Sequence, residues 1–449
     1  MTLQGKRALV LGLGKSGLAA VRFLAARGAI VAAADACAKS ELAATAASLE
    51  HLPVRLHFGG HPDALLAEQD LIVPSPGVPW DLPGLVSARQ RGVAVCGELE
   101  LAAGALRGRV IGVTGTNGKT TTVSLIDHVL RRAGVSGRLA GNVGTPVLEI
   151  ADGSHSDDWH VLELSSFQLQ AAASFRCHVA AVLNVTPDHL DRHRDFADYA
   201  AAKARILRNQ RSGDTAVFNA SDPHCRAMEP AARGAVVRFG IRCAEGVDAC
   251  AAKGRIRYRG EDVAKTDLPI RGEHNLENAL AAVAACALAG VSVEVIGRAL
   301  KSFQPVEHRM EFVATIRGVD YYNDSKATNV AAAVKACGSF PRGLWAILGG
   351  YDKGSDYSPL ASVLRRNTRE ALLIGEAAPL IRDHLGGAVP VVEAHTLRAA
   401  LDHAAARAEP GDTVLLAPAC ASFDQYPNYI QRGRDFRRIV AGLGGGACR

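Results

Sequence analysis

Short apolar runs, each long enough for one β-strand, alternate with helix-like patterns along almost the whole chain. Many of these runs end in Gly, Asn, Pro or another polar residue, and apolar positions at helical spacing follow. Such alternation is typical of α/β units built around mostly parallel sheets. The clearest predicted strands span residues 7–13, 109–113, 161–164, 179–183, 344–348 and 413–417.

The predicted elements fall into three blocks. A chain of 449 residues is too long for one ordinary core, and its size favours two to four domains. We predict an α/β protein of three domains, with Pro305 in the second linker. They are a Rossmann-like N-terminal domain (1–97), a central ATPase domain with a P-loop-type, mostly parallel sheet (98–304), and a Rossmann-like C-terminal α/β domain (305–449).

Charge and composition exclude several classes of protein. The net charge of +6 is small and spread out, and nucleic-acid-binding proteins more often carry a dense basic stripe. We therefore expect no nucleic-acid partner, although a mild positive balance suits phosphorylated substrates. The denser local groups are read as solvated surface, among them Arg432, Arg434, Arg437 and Arg438.

Cysteine usage and hydropathy point to the cytoplasm. Ten cysteines are scattered from Cys37 to Cys448 without a C-x-x-C pair, which favours reduced thiols over disulfides or a zinc site. No stretch offers the ~18 consecutive apolar residues of a membrane span, and the first residues show no signal-peptide pattern. We expect a cytoplasmic protein with no membrane partner.

One glycine-rich loop has the parts of a phosphate-binding site. The predicted strand 109–113 is followed by the run TGTNGKT (114–120) and then by a helical pattern that stops near Gly134. Glycines let backbone N–H groups converge on phosphate oxygens, Lys119 can reach the β- and γ-phosphates, and the Thr120 hydroxyl can bind Mg²⁺. Val113 occupies the place of the usual first glycine, so the alternative is a fortuitous glycine-rich turn.

Two later strands carry acidic and histidine side chains at their ends. Glu163 ends one strand, and a carboxylate there is costly to bury unless a cation or hydrogen bonds compensate it. His189 follows the next strand, where α/β sheets place their ligands. His189 could bind a metal or orient a substrate. The alternative for Glu163 is a hydrogen-bonded or exposed strand-end carboxylate, and Asp188 and Asp191 could equally cap the next helix.

The opening glycine run supports a rival class. Gly12, Gly14 and Gly17 spell G-x-G-x-x-G after a strand, with Asp35 about twenty residues on, as in dinucleotide-binding domains. This pattern favours an NAD-dependent oxidoreductase. The same turn can hold another phosphate, and a dehydrogenase would not explain the Lys119 loop.

Several segments together resemble the Mur ligase family, within the superfamily that includes folylpolyglutamate synthases. TGTNGKT resembles its ATP loop, and GNVGTP (141–146), ELSSFQL (163–169) and DHLD (188–191) resemble its central-domain motifs. GEHNLENA (272–279) resembles the segment near the adenine, and His308-Arg309 the start of the third domain. NDSKATN (323–329) and PACASFDQ (418–425) resemble the members that add D-glutamate, and no diaminopimelate signature DNPR occurs.

The resemblance implies an ATP-dependent ligase that joins D-glutamate to UDP-N-acetylmuramoyl-L-alanine through an acyl phosphate. It implies a monomer whose domains, in chain order, bind the UDP substrate, ATP and the amino acid. It also implies two Mg²⁺ sites and a carbamylated Lys203. On the residues alone, Lys203 is only a solvent-facing helical lysine.

The implied site residues form three groups. Nucleotide-binding residues would be Gly115, Thr116, Asn117, Gly118, Lys119, Thr120, Thr121, Asn275, Asn278, Arg309 and Asp324. The metal ligands would be Thr120, Glu163, His189 and Lys203, the last three acting with Lys119 in catalysis. Substrate-binding residues would be Gly14, Ser16, Gly17, Asp35, Gly77, Val78 and Asn142 for the UDP substrate or phosphate, and Lys326, Thr328, Lys353, Ser422 and Tyr429 for D-glutamate.

The sequence departs from the family pattern mainly in the first domain. Lys15 stands where relatives commonly have an aliphatic residue, and Ala36-Cys37 stands where Thr-Arg often follows the aspartate. Tyr429 replaces a frequent Phe. The alternatives are a sister ligase for another amino acid, the oxidoreductase, and a P-loop protein acting on nucleic acid.

Overall fold

The first alternating block folds as a five-stranded parallel sheet in the order β3-β2-β1-β4-β5. The computed structural model describes residues 2–60, 63–190, 192–270, 272–304 and 307–444. The block contains β1 (Arg7–Leu11), α1 (Lys15–Ala26), β2 (Ile30–Asp35), α2 (Ala43–Ala47), β3 (Val54–Phe58), α3 (Asp63–Ala67), β4 (Leu71–Pro74), α4 (Pro83–Gln90), β5 (Ala94–Val95) and α5 (Glu98–Ala103). The strand order reverses at β1, so the glycine turn after β1 lies at a switch point, where open α/β sheets bind ligands.

The second block folds as a nine-stranded sheet in the order β14-β13-β12-β11-β10-β9-β6-β8-β7. Its strands are β6 (Arg109–Thr114), β7 (Leu139–Gly141), β8 (Trp159–Glu163), β9 (Val179–Val182), β10 (Thr215–Asn219), β11 (Ala235–Arg242), β12 (Ala249–Ala252), β13 (Arg255–Tyr258) and β14 (Glu261–Lys265). Its helices are α6 (Lys119–Arg132), α7 (Val147–Ala151), α8 (Ser166–Gln170), α9 (Phe196–Ala204) and α10 (Pro223–Met228). β6 runs parallel between β8 and β9, so the loops after these three strands share one edge of the sheet.

The third block folds as a six-stranded sheet in the order β15-β16-β20-β17-β18-β19. β15 is antiparallel to β16, whereas the pairings β16–β20, β20–β17, β17–β18 and β18–β19 are parallel. The last elements of the chain are α11 (Glu273–Leu288), α12 (Val293–Lys301), β15 (Glu311–Ile316), β16 (Val319–Asn323), α13 (Val330–Gly338), β17 (Leu344–Gly349), α14 (Pro359–Asn367), β18 (Thr368–Ile374), α15 (Ala378–Leu385), β19 (Val391–His395), α16 (Leu397–Arg407), β20 (Thr413–Leu416) and α17 (Tyr429–Gly444). Pro305, the predicted linker residue, lies outside the described residues.

The chain divides into two compact units. The first comprises Met1–Ala264 with Leu280–Ala299, and the second comprises Lys265–Ala279 with Leu300–Arg449. The α/β class is confirmed, and each of the six predicted strands is found within two residues at either end. None of the described helices is long and apolar enough to cross a membrane.

The cysteine prediction is wrong for one pair. Cys243 and Cys250, seven residues apart at the end of β11 and the start of β12, form a disulfide. The C-x₆-C spacing is no recognised motif, and the pair meets only because the two strands are neighbours. The remaining described cysteines are free thiols, and Cys448 lies outside the described residues.

Candidate active site

The glycine loop between β6 and α6 is held in place by a residue that follows a neighbouring strand. Gly118 adopts φ +85°, a left-handed conformation that glycine accepts without steric cost, and α6 begins at the next residue. Asn184, after β9, accepts hydrogen bonds from the Asn117 N–H at its side-chain oxygen (2.8 Å) and from the Thr116 N–H at its carbonyl (2.9 Å). The predictions did not include Asn184, although it directly follows a predicted strand.

Glu163 and Thr120 are brought together as predicted. The parallel register places Glu163 opposite Val113, at the start of the loop. The Glu163 carboxylate is 1% exposed and accepts hydrogen bonds from the Thr120 hydroxyl (2.7 Å) and the Asn142 amide (2.8 Å). A carboxylate and a hydroxyl are hard oxygen donors of the kind that Mg²⁺ binds.

Lys119 lies over the loop that precedes it. The side chain is half-buried, and its ammonium donates to the carbonyl oxygens of Gly115 (2.8 Å) and Thr116 (2.9 Å). Thr121, the next hydroxyl residue of α6, is buried in the first turn. The lysine and the helix N-terminus thus concentrate positive charge where the sequence predicts phosphate.

Lys203 reaches the same loop from α9. Its side chain is 1% exposed, donates to the Gly115 carbonyl at 2.8 Å, and places Nζ 4.4 Å from the centre of the Tyr199 ring. Burial, with a further contribution from the Lys119 charge, lowers the Lys203 pKa well below its ordinary value. The solvent-facing position that its helical context suggested is therefore wrong.

His189 stands on a turn after β9. Its backbone is left-handed (φ +56°), and its imidazole is 40% exposed and meets Phe167 edge-on, with ring centroids 5.0 Å apart. Asp195 caps α9, so the capping alternative is wrong for Asp188, while Asp191 lies outside the described residues. Within the described ranges, no three His, Cys, Asp or Glu side chains gather as a metal cage. A cation here would have few protein ligands, as Mg²⁺ in phosphate sites usually does.

A cavity of about 530 Å³ lies beside the glycine turn after β1. The predicted substrate residues that line it are Gly14, Ser16, Asp35, Gly77, Val78 and Asn142. Gly17 instead packs against the turn, because a Cβ there would lie 1.8 Å from the Gly12 carbonyl oxygen.

Asp35 and Lys15 are charged residues of this cavity. The Asp35 carboxylate accepts the backbone N–H groups of Leu13 (2.6 Å) and Cys37 (2.9 Å), so it braces two turns against each other. Lys15 is exposed at the first position of α1.

In the second unit, the residues predicted for adenosine are largely buried. Asn275 and Asn278 are each 5% exposed and share a 3.2 Å hydrogen bond between their side chains. Asp324 accepts the Met310 N–H at 3.2 Å. Burial raises the Asp324 pKa to about 6, although the charges of Arg309 and Lys326 oppose the shift.

The residues predicted for D-glutamate lie in three loops of the second unit and at the start of α17, and Arg432 joins two of these loops. The Lys326 ammonium lies 5.0 Å from the centre of the Tyr429 ring, Ser422 is buried, and Lys353 is exposed after β17. Thr328 follows Lys326 in the first loop, where its N–H donates to the Lys326 carbonyl at 2.8 Å.

Arg432 corrects the solvated-surface prediction. Its guanidinium is 1% exposed and donates to Ser325 in one loop and to the carbonyls of Cys420 and Ala421 in the other, at 2.9 to 3.1 Å. Arg432, Phe436 and Val440 recur every four residues, so they lie on one face of α17, and all three are buried. That periodicity was the available sequence signal.

Comparisons with known proteins match the whole length of the chain. A model described as "Mur ligase MurD-like, N-terminal domain" matches residues 6–97, the "Mur ligase middle domain" matches 113–286, and the "Mur ligase, glutamate ligase domain" matches 308–420. Among solved structures, a UDP-N-acetylmuramate–alanine ligase from Thermotoga maritima superposes with a TM-score of 0.62 at 19% identity, covering 97% of this chain and 99% of that one. At that identity the likeness concerns the fold alone.

Curated relatives are much more similar in sequence. A UDP-N-acetylmuramoylalanine–D-glutamate ligase from Solibacter usitatus is 51% identical over 444 residues, covering 99% of both chains. One from Acidobacterium capsulatum is 46% identical over 455 residues, covering 100% of this chain and 99% of that one.

Proposed function

Since the chain belongs to the Mur ligase family, among its UDP-N-acetylmuramoylalanine–D-glutamate ligases, we propose how its residues perform the ATP-dependent addition of D-glutamate in peptidoglycan synthesis. The observation that supports the assignment most directly is the convergence on one glycine loop. Lys119, Thr120, Glu163 and Lys203 meet there from three separate elements.

The chemical problem is the inertness of the substrate's L-alanine carboxylate. Transfer of the γ-phosphoryl group of ATP to a carboxylate oxygen gives an acyl phosphate and ADP. The D-glutamate amine then attacks the carbonyl carbon, phosphate departs, and the nitrogen loses a proton. The protein's contribution is positioning and stabilisation of negative charge.

The glycine loop holds the triphosphate. Gly115 and Gly118 provide backbone N–H groups of the loop, while Thr116 and Asn117 shape it through their bonds to Asn184. Thr121 lies in the first turn of α6, and Lys119 provides a cation for the β- and γ-phosphates. The buried Glu163 carboxylate and the Thr120 hydroxyl fit one Mg²⁺, since both are hard oxygen donors in contact. Mg²⁺ bound there supplies positive charge for the phosphate oxygens as negative charge develops on them.

Lys203 is suited to become a carbamate. An amine must be neutral to add to carbon dioxide, and burial lowers the pKa of Lys203, which raises the share of its neutral form. The product is an anion, which could serve with His189 as the ligand set of a second Mg²⁺. A buried ammonium would repel that cation.

The 530 Å³ cavity is the proposed site of the uridine diphosphate. Gly14, Ser16, Gly77 and Val78 form its glycine-turn wall, Asn142 faces it from the loop after β7, and Asp35 braces the turns. Gly17 contributes by close packing. Lys15 places a cation beside a substrate that carries two phosphates.

The second unit supplies the amino-acid and adenosine contacts. Lys326 and Lys353 are cations for the two carboxylates of D-glutamate, with Thr328, Ser422 and Tyr429 beside them. Asn275, Asn278, Arg309 and Asp324 address the adenosine. We further propose a monomer acting in the cytoplasm, where its nucleotide substrates are made, without a nucleic-acid or membrane partner.

A coupled phosphate-release assay tests this proposal. With ATP, Mg²⁺ and UDP-N-acetylmuramoyl-L-alanine, turnover should start only when D-glutamate is added. L-glutamate and other amino acids, tested one at a time, should give little release. Equal turnover with another amino acid would contradict the D-glutamate assignment.

A further inference from the structure

A buried hydrogen-bonded row of side chains lies beside the proposed cation site. The Ser166 hydroxyl lies 2.9 Å from His193 Nε2, and His193 Nδ1 lies 3.3 Å from the Asp198 carboxylate. Ser166 and His193 are each 2% exposed. The three residues belong to the start of α8, the turn before α9, and the first turn of α9.

The row has the composition of a hydrolase triad, but its burial excludes that use. A nucleophilic serine must be reached by a carbonyl carbon, and the Ser166 hydroxyl is enclosed at the first position of α8. The remaining chemical use of such a row is to fix the elements that it joins.

The His193 ring contacts two aromatic rings, Phe167 and Tyr199, and each of these contacts one of the two proposed ligands. One face stacks on Phe167, with centroids 5.4 Å apart and planes 11° apart, and Phe167 in turn meets His189. The His193 ring also meets Tyr199 edge-on at 5.3 Å. Tyr199 is the residue whose ring lies 4.4 Å from Lys203 Nζ.

The backbone of His193 also closes the turn that presents His189. Its N–H donates to the His189 carbonyl at 3.0 Å. The left-handed φ of +56° at His189 is sterically unfavourable for a residue with a Cβ, so the surroundings must hold it. His193 is thus tied to His189 through the backbone and through Phe167.

We propose that His193 is a positioning residue that fixes His189 and Lys203 relative to each other, and so sets the affinity of their site for a divalent cation. The inference rests on the proposed roles of His189 and Lys203. Residues that orient metal ligands typically change metal affinity by about 10- to 100-fold when they are removed.

The informative variant is His193→Phe, which keeps an aromatic ring on Phe167 and removes both side-chain hydrogen bonds. Mn²⁺ binding, followed by the electron paramagnetic resonance signal of the free ion with a nonhydrolysable ATP analogue present, should weaken about tenfold. The Mg²⁺ concentration for half-maximal turnover should rise in parallel. KM for D-glutamate should change by less than about twofold, whereas general loosening of the protein would change it by more.

Ser166→Ala is the second variant, because it deletes one hydroxyl and is expected to fold. It should weaken Mn²⁺ binding less than His193→Phe, and the double variant should resemble His193→Phe because both changes break one row. His224→Phe is the matched control. His224, in α10, is exposed and contacts Phe196 at the start of α9 edge-on at 4.8 Å, so this change should leave cation binding unaltered.

Unchanged Mn²⁺ affinity in both His193→Phe and Ser166→Ala would overturn the inference. Should His193→Phe fail to fold, the result for Ser166→Ala decides. The underlying assignment is tested separately by His189→Ala and Lys203→Ala. If these two weaken Mn²⁺ binding and the row variants do not, only the positioning role is rejected.

Discussion

Lys119 and Lys203 both donate to the carbonyl oxygen of Gly115, each at 2.8 Å. Two ammonium groups from elements far apart in sequence therefore meet on one oxygen atom. Like charges so close disfavour each other's protonated form. Burial and the nearby Lys119 charge together lower the pKa of Lys203 well below its ordinary value.

Replacement of Lys203 should abolish turnover in a way that added anions partly repair. Lys203→Ala removes the group proposed to become a carbamate, and short-chain carboxylic acids can enter the space and supply an oxygen anion. We expect phosphate release to fall by roughly 100-fold or more and to recover in part with such acids. Failure of every acid tested would contradict the carbamate role.

The carbamate also has a direct spectroscopic signature. Protein equilibrated with ¹³C-labelled bicarbonate should show one carbamate carbon resonance by nuclear magnetic resonance. Lys203→Ala should lack it, and Lys301→Ala, an exposed lysine at the end of α12, should retain it.

Replacement of Lys119 should stop chemistry without unfolding the protein. Lys119→Ala removes the cation that reaches the β- and γ-phosphates, and loss of such charge stabilisation costs roughly 100-fold or more in rate. The half-buried side chain donates to carbonyl oxygens of its own loop, so the melting temperature should change little. Retained turnover in Lys119→Ala would refute the assigned phosphate site.

Lys15 should contribute to binding of the UDP substrate through charge. Lys15→Leu should raise KM for UDP-N-acetylmuramoyl-L-alanine about fivefold, near the ~1 kcal/mol of an exposed ion pair, with kcat unchanged. The difference from wild type should shrink at high salt, because an exposed pair is screened. Lys6→Leu, another exposed lysine of the same block, is the control.

Competition experiments separate the phosphate from the base. UDP should inhibit Lys15→Leu less well than wild type, while uridine should inhibit both equally. Equal loss for UDP and uridine would place Lys15 against the uracil or ribose and contradict a phosphate contact.

The titration of Asp324 should lower the free energy of unfolding as the pH rises. Its folded pKa of about 6 lies above the ordinary value of 3.8, so the folded chain binds the proton more tightly than the unfolded chain does. The resulting stabilisation is fully present below about pH 4 and is lost as pH rises through about 6, a change on the order of 3 kcal/mol. Asp324→Asn should therefore gain in melting temperature relative to wild type between pH 5 and pH 7.5. Parallel curves for the two proteins would contradict the raised pKa.

Local sequence patterns were enough for the strands and for the glycine loop, because both depend on neighbours along the chain. The register that puts Glu163 beside Thr120 follows from parallel pairing at one sheet edge, so that meeting was predictable too. Lys203 was different. Its burial depends on a loop 88 residues earlier, and only the family resemblance indicated it.

Arg432 and the Cys243–Cys250 bond show where local patterns failed. A charged residue is usually solvated. Arg432 can be buried because its guanidinium has four carbonyl and hydroxyl acceptors. Two of them lie more than a hundred residues earlier in the chain, and the other two lie more than ten residues earlier. The residues next to Cys243 and Cys250 carry no pattern that indicates their pairing. Helix periodicity alone would have flagged Arg432.

The distribution of the free thiols gives this protein a built-in place for an optical reporter. Among the described free cysteines, Cys37 is exposed and the others are buried. Its N–H donates to Asp35, which lines the 530 Å³ cavity. Because Asp35 raises the Cys37 pKa, a maleimide fluorophore should attach faster in mildly alkaline buffer. In a Cys448→Ser background, such a dye would change its emission as the UDP substrate enters, so occupancy could be followed without waiting for turnover.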